Sequence, residues 1–388
     1  MRSKFASFTE TEHRARLAEA RRLLKEQGID HCISVAPESL YYYGGYDSWV
    51  SANSPQALIF SAEADEPTIV LRDTDLSLAY ESSWVKDVRS YRLMFDDVPG
   101  IFVAVAREKG LRGGKVAVEI QSYAIPHALG LALARALAPA EIVDATTLLG
   151  MPRLIKSPTE MAYLRQAAGY AEAGLQAARQ TLKPGISEIA LAGEVEHAMR
   201  MAGSDYWSIP TELAGGARTA GGHATARDRI IEKGDVVHLE FAGVAARYHA
   251  TAVHTMAAGE PGPRAREVYD VARASLAAGI AVVRAGAKVS DIEEASLEPV
   301  RAAGLEAAAV MRFGYGIGVA YPPIWLEPLQ ITRGSSQILQ QGMVFVLHAY
   351  LQLVDEQLGV IQGGTYALTE NGLEMLVGSG DVAFEIAR

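Results

Sequence analysis

Histidine and glutamate, set among apolar strands and glycine-rich turns, mark where this chain could do chemistry. An imidazole titrates near pH 6.5, so it can take a proton and return it at neutral pH. A carboxylate buried in an apolar strand needs a hydrogen-bonded partner, and such groups gather at sites. Of nine histidines, His197, His223, His238, His249, His254 and His348 fall in the second half of the chain. The run EKGDVVHLEFAGVAARYHATAVHTMAAG reads as a β-hairpin. Alternation with period two puts Val236, His238 and Glu240 on one face and Val237, Leu239 and Phe241 on the other. Across the turn His249, Thr251 and Val253 share a face, opposite Tyr248, Ala250 and His254. An exposed or edge position for Glu240 is the competing reading.

Three further segments carry candidate groups. ELAGGARTAGGHATARDRII reads as a long glycine-rich turn that holds Arg218 and His223. Glycines before a histidine allow a ligand to approach the backbone closely, although a solvated loop histidine fits the same pattern. In RFGYGIGVAYPPIWLEP, Gly314, Gly316 and Gly318 alternate along a strand beside Tyr315, and Tyr321, Trp325 and Glu327 follow. Alternating glycines make room for something against that strand. His348 stands alone in the apolar strand QQGMVFVLHAYLQLV, where a satisfied core histidine is equally consistent.

The elements that must position these groups follow from length and patterning. The chain has 388 residues, 49% of them apolar, which suits two domains with substantial cores. The formal net charge of -10 argues against a nucleic-acid backbone as partner. A single cysteine, Cys32, excludes an intrachain disulfide and a thiolate metal cluster, and its strand context reads as core. No apolar run is long enough to span a membrane, and no signal-peptide core opens the chain, so a cytoplasmic protein is expected. No GxGxxG or Walker A motif supports a nucleotide cofactor.

Residues 1–150 alternate helix and strand and predict an α/β domain. PESLYYYGGYDSW predicts a turn around Gly44-Gly45 that presents Tyr46, Asp47 and Trp49. Residues 151–388 open on Ser157-Pro158 with Glu160 three residues beyond the cap, a helix-start signature. Two helices and then strands occur twice, with KPGISEIA echoed by RAGAKVSDIE, so this domain is an internal pseudo-repeat.

Together KSPTEMAYLRQAA, PGISEIALAGEVE, HATARDRIIEKGDVVHLEFAG, YHATAVHTMAAG, FGYGIG, LQQGMVF and YALTENG resemble the creatinase and aminopeptidase P group, family M24. The resemblance implies an α/β (α+β) fold: a creatinase-like N-terminal α/β domain and a C-terminal "pita-bread" domain with a pseudo-twofold helix-strand repeat. Metallopeptidases of this group hold two metals on two aspartates, one histidine and two glutamates. By the resemblance those positions are Glu240, Thr251, Tyr315, His348 and Gly363 here, which leaves one carboxylate. The chain therefore resembles the metal-ligand-deficient branch that includes creatinase and ectoine hydrolases, and LEFAG, RYHA and GYGIGVAYPPIWLE carry that likeness.

What the resemblance implies is a metal-independent hydrolase of a C–N bond in a small, polar, nitrogen-rich metabolite, with no cofactor. His223 would be the general base and acid, and Glu240 and Glu327 would hold and polarise a cationic amidinium or guanidinium. His249, Tyr315 and His348 would orient the substrate, with Trp325 and Tyr321 as an apolar wall. A homodimer is implied, in which Asp47, Trp49 and Arg72 of one N-terminal domain help close the neighbouring site, Arg72 taking a substrate carboxylate. Two alternatives stay open: a mononuclear metal-dependent lyase or hydrolase built on Glu240, His249 and His348, and a non-catalytic binding protein.

Overall fold

The computed structural model describes residues 5–380 and 382–387. Backbone packing divides the chain into two units, Met1–Pro152 and Arg153–Arg388. No helix among the described residues is long and apolar enough to cross a membrane.

The first unit runs α1 (Glu10–Glu26), β1 (His31–Ser34), α2 (Pro37–Gly44), β2 (Ala57–Ser61), β3 (Thr68–Arg72), α3 (Leu76–Ser82), β4 (Asp87–Tyr91), α4 (Val98–Glu108), β5 (Lys115–Val118), α5 (His127–Leu137), β6 (Glu141–Asp144) and α6 (Thr146–Gly150). Thr9 caps α1 by accepting from the Glu12 amide, and Leu17, Ala20 and Leu24 bury its inner face. The sheet order is β4-β3-β2-β1-β5-β6. β1 pairs antiparallel with β2 and parallel with β5, so the sheet is mixed. Cys32 lies fully buried in β1. Sequence patterning misses α3 and β4, which are short and polar.

The tyrosine-rich segment departs from the expected turn. Pro37–Gly44 is the helix α2, ended by Gly45 at φ 69°. Its ring cluster is core: Tyr41, Tyr42, Tyr43 and Tyr46 are all buried, so Tyr46 is not presented to a ligand. Trp49 is 63% exposed, and Asp47 and Arg72 are half-buried.

The second unit runs α7 (Pro158–Thr181), α8 (Glu188–Ala202), β7 (Glu212–Gly215), β8 (Asp235–Ala245), β9 (Tyr248–Ala258), α9 (Pro263–Ala281), α10 (Val289–Ala302), β10 (Gly314–Tyr321), β11 (Ile324–Ile331), β12 (Val344–Leu353), β13 (Leu358–Thr369), β14 (Gly372–Gly378) and β15 (Glu385–Ala387). Ser157 and Glu160 form the reciprocal capping box that opens α7. β8 and β9 are joined through Ala246 and Arg247, both at positive φ (47° and 66°). Such a two-residue turn matches the strand twist and fixes the register, which pairs Glu240 with Val253 and Val244 with His249.

The sheet order is β11-β10-β12-β13-β9-β8-β7, and Val319 of β10 also pairs with Tyr248 of β9. The path β10, β12, β13, β9 therefore closes on itself as a small barrel. One core packs Ala167, Leu175, Leu191 and Val195 of α7 and α8 on Leu239 and Phe241 of β8. The other packs Val268, Leu276, Ile292 and Val300 of α9 and α10 on Leu347 and Leu351 of β12. This is the doubled helix-pair-and-strand arrangement of the creatinase-like pita-bread architecture. Because Leu239 and Phe241 face the helices, His238 and Glu240 face the other side of the sheet.

Candidate active site

That other side carries a cavity of about 180 Å³, lined by His223, Glu240, Tyr315, Trp325, His348, Arg312 and Glu212 with apolar neighbours that include Ile209 and Met311. The four short-range features that define it are a carboxyl pair, a hydrogen-bonded relay, a set of imidazoles and an arginine.

Glu212 and Glu240 stand directly opposite each other in the antiparallel β7–β8 ladder. Side chains so paired sit about 5 Å apart at Cβ. Both are buried, at 6% and 7% exposure. Burial pushes both carboxyls up, and the charge of Glu240 raises Glu212 further. The Tyr315 hydroxyl and the nearby Arg312 charge draw Glu240 part of the way back. The pair thus favours holding one proton, with Glu240 the more acidic member.

Glu240 Oε1 accepts from the Tyr315 hydroxyl at 2.8 Å, and the Tyr315 oxygen accepts from Trp325 Nε1 at 3.0 Å. Each group fixes the next, so the Glu240 carboxylate is oriented from β10 and β11. Burial and the neighbouring carboxylate push the Tyr315 phenol far up, so it stays a donor. His348 projects from β12, pairs in register with Gly363, and has no hydrogen-bond partner at Nδ1. Its pKa falls to about 4, chiefly by burial and then by the charges of Arg312 and His223. His238 is likewise buried, unpartnered at both nitrogens and lowered to about 4, first by burial. At neutral pH both are uncharged. His223, by contrast, is exposed at the cavity's edge in the loop after β7.

Several expected site residues lie elsewhere. Glu327 does not line the cavity: its Oε2 accepts from Lys156 Nζ at 2.5 Å in a wholly buried ion pair. The room left by the alternating glycines is filled by the protein itself. A Cβ at Gly316 would stand 2.9 Å from Leu329 Cβ, and one at Gly318 would collide with the Glu327 carboxylate. His249 shares the Glu240 face but sits at the hairpin's turn end. Its Nδ1–H donates to the Arg247 carbonyl (2.9 Å) and its Nε2 accepts from the Ser208 amide (3.1 Å), so both nitrogens are committed. Burial lowers it to about 4. Tyr321 is buried, with the Arg247 guanidinium 5.8 Å from its ring centre. Asp47, Trp49 and Arg72 belong to the first unit.

Glu212 and Arg312 escape the sequence reading. ELAGG looks like the start of a glycine turn, yet Glu212–Gly215 is a strand. Arg312 lies in the bend before β10, where no period assigns it a face.

The family model described as metallopeptidase family M24 matches residues 162–375, and that of the creatinase/prolidase N-terminal domain matches residues 16–155. The chain belongs to metallopeptidase family M24. An ectoine hydrolase of Halomonas elongata is 28% identical over 388 residues, covering 95% of this chain and 96% of that protein. An uncharacterized hydrolase/peptidase of Sinorhizobium fredii is 28% identical over 381 residues, covering 95% and 96%. Among solved structures, dipeptidase PepE of Mycobacterium ulcerans superposes with a TM-score of 0.84 at 23% identity, covering 98% of this chain and 99% of that one, which shows the shared fold.

Membership in M24 carries hydrolase activity on a C–N bond at the family level. The family's name implies metals, and the residues present do not fit them. At the matched positions the donors are one carboxylate already bonded to a phenol, a threonine, a tyrosine, an imidazole and a glycine. Two divalent cations need several anionic oxygens. Among the described residues no group of three or more His, Cys, Asp or Glu side chains could hold a metal ion. The commitment of both His249 nitrogens also removes it from a mononuclear set with Glu240 and His348.

Proposed function

We propose that this M24 chain is a metal-independent hydrolase of a C–N bond in a small, cationic, nitrogen-rich metabolite such as a cyclic amidine or a guanidino compound. One observation carries the reading: a small cavity joins an exposed histidine, His223, to a buried carboxyl pair that forms no ion pair among the described residues. A planar amidinium matches a carboxylate geometrically and electrostatically. Glu240, oriented by Tyr315 and Trp325, holds that cation in place and keeps it protonated, the form whose carbon is open to attack. Water adds to the carbon while His223 takes its proton. The tetrahedral intermediate then collapses, the C–N bond breaks, and His223 returns the proton to the leaving nitrogen. One water is consumed and no redox change occurs. His348, neutral and unpartnered at Nδ1, is placed to hold the added oxygen. The likeness to an ectoine hydrolase, which aligns over nearly the whole of both chains, supports a small-metabolite substrate.

A homodimer belongs to the proposal. The 63% exposure of Trp49 suits a residue that one subunit lends to its partner, and Asp47 and Arg72 of the same unit are half-buried.

The test is turnover of a panel of cyclic amidines, guanidino acids and Xaa-Pro dipeptides by purified protein, with and without chelator. Chelator-resistant cleavage of a non-peptide member, reduced about 10²–10⁴-fold in His223→Ala, is the expected result. Chelator-sensitive cleavage, or cleavage of dipeptides alone, would overturn the reading. Ligand binding without turnover would identify a binding protein instead.

A further inference from the structure

The Glu240 carboxylate is aimed by a phenol and an indole, whereas among the described residues no hydrogen bond reaches the His223 ring. A general base is ordinarily turned toward its proton by a third group. Here the backbone has to supply that orientation. His223 stands third in a β-turn, Gly221–Ala224, closed by the Ala224 amide donating to the Gly221 carbonyl at 3.0 Å. The limb before the turn is the short 3-10 stretch Gly216–Ala220, and it is fixed to the sheet. Thr219 Oγ1 accepts from the Gly359 amide at 2.9 Å, and the Thr219 carbonyl accepts from the Tyr350 hydroxyl at 3.0 Å. The limb after the turn runs back along β7, whose Leu213 amide donates to the Ala224 carbonyl at 3.0 Å. One side chain from outside the sheet joins the two limbs. Glu188, wholly buried in the first turn of α8, accepts at Oε1 from the Gly215 amide (2.9 Å). Its Oε2 accepts from the Arg227 amide (3.1 Å) and from Arg218 Nη1. Arg218 Nη2 in turn donates to the Thr225 carbonyl at 2.8 Å. Gly215 and Arg218 precede the turn, and Thr225 and Arg227 follow it, so a carboxylate and a guanidinium close the loop into a ring with His223 at its apex.

We propose that Glu188 and Arg218 are a clamp that positions His223 at the cavity's edge, so that the general base is aimed through its backbone from α8. The proposal rests on the reading of His223 as the base and goes beyond it by assigning the residues that hold it in place. Glu188 does not line the cavity, so it is a positioning residue and not a catalytic one. The chemistry of the clamp requires a carboxylate. Three donors converge on its two oxygens, and charge strengthens each bond. A glutamine there would keep the size but replace one acceptor oxygen by an NH₂ group, which would face an N–H donor of one limb. A guanidinium is required as well, because one nitrogen reaches Glu188 while another reaches the Thr225 carbonyl across the loop.

Hydrogen exchange of the full-length protein, read segment by segment, tests the clamp without needing a substrate. In Glu188→Gln the amides of residues 222–227 are expected to exchange about tenfold faster, while those of β8 and β12 keep the rates of the unaltered protein. Arg218→Gln, at a side chain 27% exposed, breaks the same ring from its outer edge and is expected to act alike. Turnover of a panel substrate tests the aim. Glu188→Gln is expected to lower kcat about tenfold or more, the scale of a misplaced catalytic group, with KM changed less than about twofold. In a His223→Ala background the same substitution is expected to change kcat less than about twofold, because it acts through His223. Unchanged exchange of the 222–227 segment in both variants would overturn the proposal, as would faster exchange spread evenly over the second unit. So would a loss of kcat that is equal with and without His223, the mark of a merely structural residue. Local loosening of the His223 turn in a protein that cleaves no C–N substrate would leave the clamp standing and sink the hydrolase.

Discussion

Two buried glutamates on separate strands of one sheet meet opposite fates. Glu327 on β11 faces Lys156, and the two form an ion pair with side-chain exposures of 1% and 0%. Glu240 on β8 faces a second carboxyl, Glu212, across the strand pair. Burial raises both Glu327 and Glu240, but Lys156 and Arg153 pull Glu327 back, whereas only a hydrogen bond and a more distant Arg312 pull on Glu240. A buried carboxylate with its counter-ion in contact ties two chain segments together. A buried carboxylate beside its own kind leaves an electrostatic demand that a cationic ligand can meet. The same residue type is structure in one place and, in the proposed function, a cation-binding group in the other, and the difference lies in the neighbour.

The largest effect should come from breaking the matched pair. Lys156→Met leaves the Glu327 charge buried without compensation, which costs about 3–5 kcal/mol in comparable cases. Chemical denaturation should show that loss at pH 7, and Lys156→Met combined with Glu327→Leu should recover most of it. A single variant as stable as the parent would mean that Glu327 is already neutral and that no buried ion pair is matched there.

Relieving the mismatched pair should act in the opposite direction. The folded pKa values of Glu212 and Glu240 are raised, so the folded state holds a proton that the unfolded chain gives up near pH 4.5. Stability is therefore full below about 4.5 and declines as pH rises toward the folded values. Glu212→Gln removes one titrating member. It should stabilise the protein by on the order of 2–3 kcal/mol at pH 8 and by little at pH 4.5. Unfolding curves at the two pH values check this, and a gain that is equal at both would refute a charge origin.

How much of this contrast can be read from sequence depends on how far each residue's environment is set locally. Period-two alternation in β8 fixes the face of Glu240 and His238, and the strong strand pattern of β12 fixes His348. The likeness of GYGIG and its flank to creatinase-type segments brings Tyr315 and Trp325 to the same cavity. Glu212 is lost because β7 is only four residues long and begins a glycine-rich run, so only pairing with β8 reveals it as a strand. The face of Glu327 follows from the alternating burial of β11, but its partner Lys156 lies 171 residues away, and no local pattern announces it. His249 obeys the same alternation as Glu240. Its distance from the cavity along the hairpin, and its bonds to Arg247 and Ser208, are matters of register and tertiary contact.

The imidazoles beside the carboxyl pair should give a smaller effect with the opposite pH sign. The pKa of His238 is lowered from 6.5 to about 4, so stability is full above about 6.5 and lost as pH falls toward 4. His238→Phe should reduce that acid-side loss by roughly 1–1.5 kcal/mol at pH 5.5 relative to pH 7.5. An unchanged difference between the two pH values would show that the buried ring is not what the acid limb reports.

The smallest effect sharpens the comparison by moving an ion pair into water. Arg165 and Glu374 join α7 to β14 at 2.9 Å, a contact no longer than an ordinary charge-assisted bond, yet their side chains are 53% and 39% exposed. Water screens the attraction, and two long side chains lose freedom in holding one geometry, so such pairs contribute about 0.2–1 kcal/mol. Arg165→Ala should therefore cost no more than that, and its cost should shrink further in about 0.5 M salt, where the screening length falls to a few ångströms. Lys156→Met should show almost no salt dependence, because its partner is sealed from solvent. A cost for Arg165→Ala that rivals that of Lys156→Met would mean that contact distance, and not desolvation, sets the strength of these pairs. The distinction between Glu327 as a structural residue and Glu240 as the proposed ligand-binding one would then lose its physical basis.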